Sequence, residues 1–197
     1  MTLKGITLAE KLRLAREAGV DLPHYTNTNN PIDFPMNASK LKHAKGNLLN
    51  LAEEGRFNII IHGCNCFNTM GSGIAREIRE RFPEAAMIDS MTESGDRSKL
   101  GTITVSGAPN SVGGFVIVNA YTQYSTSKVG EDVFEYEAFQ EILDAFVKDA
   151  GVGMNIGLPY IGMGLAGGNK ERIMGMIEDF AQKVSAKGGT VTLVEFG

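Results

Sequence analysis

The sequence predicts an α/β layered fold with a largely parallel sheet, and three observations carry that prediction. From about Leu41 onward, strand and helix signals alternate along the chain. The run ending in Ile60-Ile61-His62 is apolar without alternation, as expected of a strand covered on both faces. Glycine-closed turns then lead from strands directly into amphipathic helices, most clearly at Met70-Gly71-Ser72-Gly73-Ile74-Ala75.

The elements follow in order. Residues 1–40 read as a helical and irregular extension ahead of a folded domain over 41–197. Thr7-Leu8-Ala9-Glu10 has the spacing of a capping box, Leu8, Leu12 and Ala15 share a helical face, and Gly19 can stop the helix. The stretch 23–35, rich in Asn, Thr and Pro, predicts an irregular connection. Strands are expected near 41–45, 57–62, 101–106, 115–120, 153–158 and 190–196. Helices are expected near 47–54, 73–81, 83–91, 133–148 and 169–186. Phe139, Ile142, Leu143 and Phe146 form the apolar face of the fourth, and Ile173, Met176, Ile177 and Phe180 that of the fifth. Pro83 suits a first helical turn and Asn169 an N-cap.

Composition excludes several function classes. At 197 residues and 43% hydrophobic content the chain can bury a full core, and its length favours one compact unit. A net charge of −4 without runs of like charge argues against binding nucleic acid or a membrane surface, while leaving room for a small anion held by backbone amides. Lys4, Lys11, Arg13 and Arg16 interrupt the amino-terminal segment, and no later segment is long enough to span a bilayer. A soluble, cytoplasmic protein is the expectation. Cys64 and Cys66 are too close together to be a secreted disulfide framework. With His62 and His43 nearby they could suggest a metal, but the second half of a structural zinc site is missing, so no metal is expected and the thiols read as small buried groups.

Three loops follow three expected strands, and in a parallel sheet such ends share one rim, where ligands bind. They are 62–73, 119–125 and 159–168. The glycine runs are neither common nucleotide pattern: Arg76 stands where the dinucleotide fingerprint needs its third glycine, and no Gly-Lys-Ser/Thr occurs. Two glycine-rich loops on one rim suggest a diphosphate held between them by amides; alternatively, the glycines only shape tight turns.

Lys45-Gly46-Asn47-Leu48-Leu49, Ile61-His62-Gly63-Cys64-Asn65-Cys66 with Met70-Gly71-Ser72-Gly73-Ile74-Ala75, and Leu158-Pro159-Tyr160-Ile161-Gly162-Met163-Gly164-Leu165 together resemble a macro domain over about 41–197. The Cys-Asn-Cys core, the Gly-x-Gly-Ile-Ala turn and the preceding histidine are most similar to the small ADP-ribose 1″-phosphate phosphatases of yeast and phages. The resemblance implies a three-layer α-β-α fold with a central mixed, largely parallel sheet. It also implies a monomer that binds ADP-ribose or its 1″-phosphate, hydrolyses the phosphomonoester without an organic cofactor, and resides in the cytoplasm, the host cell's if the chain is phage-encoded. A non-catalytic ADP-ribose reader and a hydrolase removing ADP-ribose from protein or nucleic acid are the alternatives, because one scaffold hosts all three.

Residue by residue, the resemblance puts Asn47, beside Leu48, where the family has a carboxylate that accepts from the adenine amino group; a plain helix cap is the other reading of Asn47. Asn65 falls at the distal ribose, and His62 three residues upstream could pass a proton or simply be a structural hydrogen-bonder. Asn68 could add an amide or only form a turn. Met70, Gly71, Ser72, Gly73 and Ile74, with Ile161, Gly162, Met163, Gly164, Leu165, Ala166 and Gly167, would surround the diphosphate and ribose. Tyr121, Tyr124 or Tyr160 could supply a stacking ring or be packing. Ala166 and the region of Gln123 lack the aspartate and lysine of the deacylating branch, which disfavours that mechanism. A cysteine nucleophile is disfavoured because no arginine-ended amide cradle follows.

Overall fold

The computed structural model describes Glu10, Arg13, Leu14 and Glu17, together with residues 40–126 and 132–197. The expected capping box at Thr7, the Leu8, Leu12 and Ala15 stripe, the stop at Gly19 and the 23–35 connection lie outside the described residues.

Six strands form one sheet in the order β1-β6-β5-β2-β4-β3. They are β1 (Lys42–Lys45), β2 (Ile59–Asn65), β3 (Ile103–Ala108), β4 (Phe115–Gln123), β5 (Asn155–Leu158) and β6 (Thr190–Glu195). All neighbours run parallel except β3 and β4, so the sheet is mixed with one antiparallel edge. The short connection between β3 and β4 requires that reversal, since a parallel pair needs a long crossover. Asn110 closes it by accepting from the Val112 and Gly114 amides at 2.9 and 2.7 Å.

Helices α1 (Leu48–Glu53), α2 (Gly73–Arg81) and α3 (Pro83–Ser90) cover one face, and α4 (Tyr136–Asp149) and α5 (Lys170–Ala186) the other. Strand β4 shows why its apolar run lacks alternation. Val116, Val118 and Ala120 pack with Phe139, Phe146, Ile177 and Phe180, while Phe115 and Ile117 pack with Leu49, Ile78 and Ala85. Asn169 caps α5 by accepting from the Arg172 amide at 2.9 Å, and Pro83 opens α3, as the sequence predicts.

The expected helices match the observed ones to within three residues at each end. Two strands differ in a way that matters. Strand β2 runs on through Gly63 and Cys64 to Asn65, and β4 runs on to Gln123, so both deliver their last residues to the rim.

Candidate functional site

The continuation of β2 changes the role of His62. Because the strand has not ended at this residue, His62 sits in register with Asn119 of β4, inside the sheet. It is fully buried and does not border the cavity at the rim. The Asn119 amide nitrogen donates to Ala85 O and Thr104 Oγ1, which leaves Asn119 Oδ1 to accept from His62 Nε2–H at 2.7 Å. Two polar side chains on adjacent strands thus satisfy each other, and the structure replaces the expected proton-passing role of His62 with a buried structural one.

Burial is the largest influence on the ring and pushes its pKa from 6.5 down to about 4, against the raising effects of the Asn119 and Gly63 hydrogen bonds. The native imidazole is therefore neutral across a range in which the unfolded chain binds a proton. Its stabilising contribution is complete above pH 6.5 and is lost as pH falls toward 4, by up to about 3 kcal/mol. Urea midpoints of the wild type should fall between pH 7 and 5, and a His62→Gln variant should show a clearly shallower slope over that interval.

A cavity of about 590 Å³ opens at the carboxyl ends of β2, β4 and β5. Its floor is the tip of β2, where Gly63, Cys64 and Asn65 border it. A Cβ at Gly63 would come within 2.9 Å of Thr122 Oγ1, so this position admits only glycine without a shift. The register between β2 and β4 slips after Cys64, which pairs with Tyr121 while Asn65 pairs with Gln123. Thr122 is the extra residue of this bulge, and both Thr122 and Gln123 border the cavity. Asn65 closes the turn that follows: its Oδ1 accepts from the Phe67 amide at 2.8 Å and its Nδ2 donates to Thr69 Oγ1 at 2.6 Å.

The two glycine-rich segments form facing walls. Met70, Gly71, Ser72, Gly73 and Ile74 line one side, at the amino terminus of α2. Ser72 occupies the N-cap without making a side-chain cap bond, so the first helical amides have no local side-chain acceptor and carry the positive end of the helix dipole. Ile161, Gly162, Gly164, Leu165 and Ala166 line the other side, with Pro159 and Tyr160. Such a pair of walls suits an anion.

Behind the floor lies a buried ionic cluster that the sequence reading did not assemble. Lys99, at the end of the short 3₁₀ turn Arg97–Lys99, and Asp89 of α3 are almost fully buried, with Nζ and Oδ1 3.9 Å apart. Lys99 also donates to Cys66 O at 3.1 Å and to Asn68 Oδ1, and lies 4.5 Å from the centre of the Tyr121 ring. The Tyr121 hydroxyl donates to Asp89 Oδ1 at 2.8 Å. Burial raises the Asp89 pKa and lowers that of Lys99, while each charge opposes the shift of the other. Asp89 borders the cavity and is the only carboxylate among its lining residues.

This cluster redirects three expected site residues. Tyr121 is wholly buried with its hydroxyl committed to Asp89, so it offers no ring to the cavity. Asn68, the one described non-glycine residue at positive φ (59°), spends its Nδ2 on Asp89 O and Thr92 O, both at 2.9 Å. Met163 and Gly167 are not among the lining residues; Met163 packs on the core, and the Gly167 amide closes the loop onto Gly164 O at 3.0 Å. Burial above all raises both thiol pKa values, which disfavours the thiolate that a cysteine nucleophile needs. Among the described residues no group of three or more His, Cys, Asp or Glu side chains could hold a metal, and no helix is long and apolar enough to cross a membrane.

A second cavity, about 440 Å³, adjoins the first and shares Gly73, Ile74 and Pro159 with it. A Cβ at Gly73 would meet no protein atom within 4 Å, so the junction is open. Gly46, Asn47, Leu48, Glu77, Val194 and Phe196 complete the lining. Asn47 caps α1: its Oδ1 accepts from the Leu49 and Asn50 amides at 2.8 and 3.2 Å, and its Nδ2 donates to Glu77 Oε1 at 2.8 Å. With both lone pairs of that oxygen engaged, Asn47 has no acceptor left for a ligand, and the cap is the reading that the geometry favours. Glu77 and Phe196 were missed because neither belongs to a motif. A signal for Glu77 existed in its spacing, one helical turn beyond Gly73 on α2.

No family model matches the chain. A 17.5 kDa uncharacterized protein from the tk-vs intergenic region of Enterobacteria phage T4 is 34% identical over 148 residues, covering 73% of this chain and 92% of the phage protein. Among solved structures, the macrodomain of Thermus aquaticus DarG superposes with a TM-score of 0.56 at 20% identity, covering 78% of this chain and 96% of that one. A Trypanosoma brucei macrodomain in complex with ADP-ribose superposes with a TM-score of 0.55 at 13% identity, over 80% of this chain and 63% of that one. The chain therefore belongs to one family with the phage T4 protein, and its fold is that of the macrodomains.

Proposed function

We propose that the joined cavities bind ADP-ribose 1″-phosphate and that the protein hydrolyses the phosphomonoester to ADP-ribose and phosphate. The observation carrying this reading is the pair of facing walls, one the amide-bearing start of α2 and the other the 161–166 loop, on either side of a cleft of about 590 Å³. The Trypanosoma brucei macrodomain that shares the fold was solved with ADP-ribose, which supports the choice of ligand.

In this reading the adenosine end occupies the smaller cavity, and the terminal ribose lies over Gly63, Cys64 and Asn65. Asn65, pinned by Phe67 and Thr69, orients the ribose and its phosphate. Water attacks phosphorus, the bond from phosphorus to the 1″ oxygen breaks, and amides stabilise the charge that develops. The attacking water supplies the new oxygen of the released phosphate, and its proton passes through solvent to the leaving 1″ oxygen, so that one water is consumed and the step balances.

The test is direct. Pure protein incubated with ADP-ribose 1″-phosphate should release phosphate and ADP-ribose together, and Asn65→Ala should lower kcat by about tenfold or more. Binding of ADP-ribose without phosphate release would reject the enzyme in favour of a non-catalytic reader. The burial of His62 favours that second reading, because it removes one candidate proton carrier from the reacting end.

A further inference from the structure

The smaller cavity contains one carboxylate, and its surroundings define what that group can recognise. Glu77 projects from α2 between apolar residues: Leu48 and Val194 are buried beside it, and the Phe196 ring is 77% exposed at the rim. Both structural hydrogen bonds to the carboxylate fall on the same oxygen. Oε1 accepts from Asn47 Nδ2 at 2.8 Å and from Arg81 Nη1 at 2.6 Å, and Arg81 is itself fixed by Glu53. Among the described residues no donor reaches Oε2. The carboxylate is thus held on one side and left as a bare acceptor on the other.

An ionised carboxylate accepts hydrogen bonds and donates none. In an apolar slot with an exposed ring at its mouth, such a group favours a flat heterocycle that stacks on the ring and presents an exocyclic amine. It disfavours a heterocycle that presents a carbonyl at the same position, because two acceptors then face each other. We propose that Glu77, oriented by Asn47 and Arg81, is the residue that selects a 6-aminopurine over a 6-oxopurine in this cavity. The proposal rests on the ADP-ribose reading above and adds to it the origin of base specificity. It also gives Asn47 its function: the side chain links the cap of α1 to the orientation of a binding group on α2.

Calorimetric titration of the full chain with ADP-ribose and with inosine diphosphate ribose tests this, for the wild type and for Glu77→Gln. A glutamine keeps the shape and can turn either its oxygen or its amide toward the base. The wild type should bind the 6-amino ligand about tenfold or more tightly than the 6-oxo ligand. Glu77→Gln should bring the two affinities together, largely by strengthening the 6-oxo ligand, a gain that loss of structure would not produce. Asn47→Ala should reduce the wild-type ratio without inverting it. Equal affinities in the wild type, or an unchanged ratio in Glu77→Gln, would overturn the assignment of Glu77 while leaving ADP-ribose binding intact. Failure of both ligands to bind the wild type would overturn the ADP-ribose reading and this proposal together.

Discussion

Replacing Lys99 by methionine should destabilise the protein by about 3–5 kcal/mol, the usual result when one member of a buried ion pair is removed and the other is stranded. The Lys99 side chain is 7% exposed and that of Asp89 2%, so water cannot take over the role of the missing partner. The loss extends beyond the carboxylate. Lys99 also satisfies Cys66 O and Asn68 Oδ1, and Asn68 holds the end of α3 through Asp89 O and Thr92 O. Asp89→Asn should cost less, since an amide keeps the shape and still accepts from Tyr121. In urea unfolding, the double variant Lys99→Met, Asp89→Asn should lose less than the two single losses added together, the signature of coupled partners. A Lys99→Met loss below about 1 kcal/mol would mean that the cluster is reached by solvent and contributes as little as a surface pair.

The second large effect is expected at Gly162. Its φ of 75° lies in the left-handed region, where a side chain costs about 1–2 kcal/mol. A Cβ there would also be driven into the Phe134 ring. That ring has nowhere to go: it is 4% exposed and packed edge-on against Tyr136 and Phe139, with centroids 5.2 and 5.4 Å away. Overpacking adds about 1–3 kcal/mol. Gly162→Ala should therefore cost about 2–5 kcal/mol in total, and it should weaken ADP-ribose binding because the loop that must give way is a wall of the larger cavity. Gly164→Ala is the control: a Cβ there meets nothing within 4 Å, so the fold should tolerate it. If both substitutions prove equally mild, the loop is not constrained at Gly162.

The layered fold was legible because its signals are local and redundant. Unalternating apolar strands, amphipathic helices with Phe139 or Phe180 on one face, and punctuating glycines each imply the same architecture. The walls of the cleft were legible for a related reason. A glycine turn feeding a helix exposes amides whatever its neighbours are, so Gly71, Ser72, Gly73 and Gly162 could be named from the chain alone.

What sequence reading missed depends on register and long-range pairing. His62 follows three isoleucines as a strand exit would, and only its alignment with Asn119, 57 residues away, reveals that it lies inside the sheet. Tyr121 alternates plausibly toward the rim until Asp89, 32 residues upstream, claims its hydroxyl. Nothing in the sequence around Lys99 marks it for burial, because no local signal says that α3 and β4 will close over it. Asn47 differed again: the cap and the ligand contact were both written in one residue type, and the count of lone pairs decided between them.

The bulge at Thr122 constrains how this chain can diverge. Because one unmatched residue turns both Thr122 and Gln123 toward the cleft, the floor is set by the number of residues in β4 as much as by their identity. Side chains at these two positions can then change while the floor keeps its shape, so long as the residue at Thr122 still packs against Gly63. Gaining or losing a single residue between Tyr121 and Gln123 would reset the alternation and turn the floor outward. Variation there should consequently take the form of replacements at constant length, while insertions accumulate in the connections on the opposite edge of the sheet.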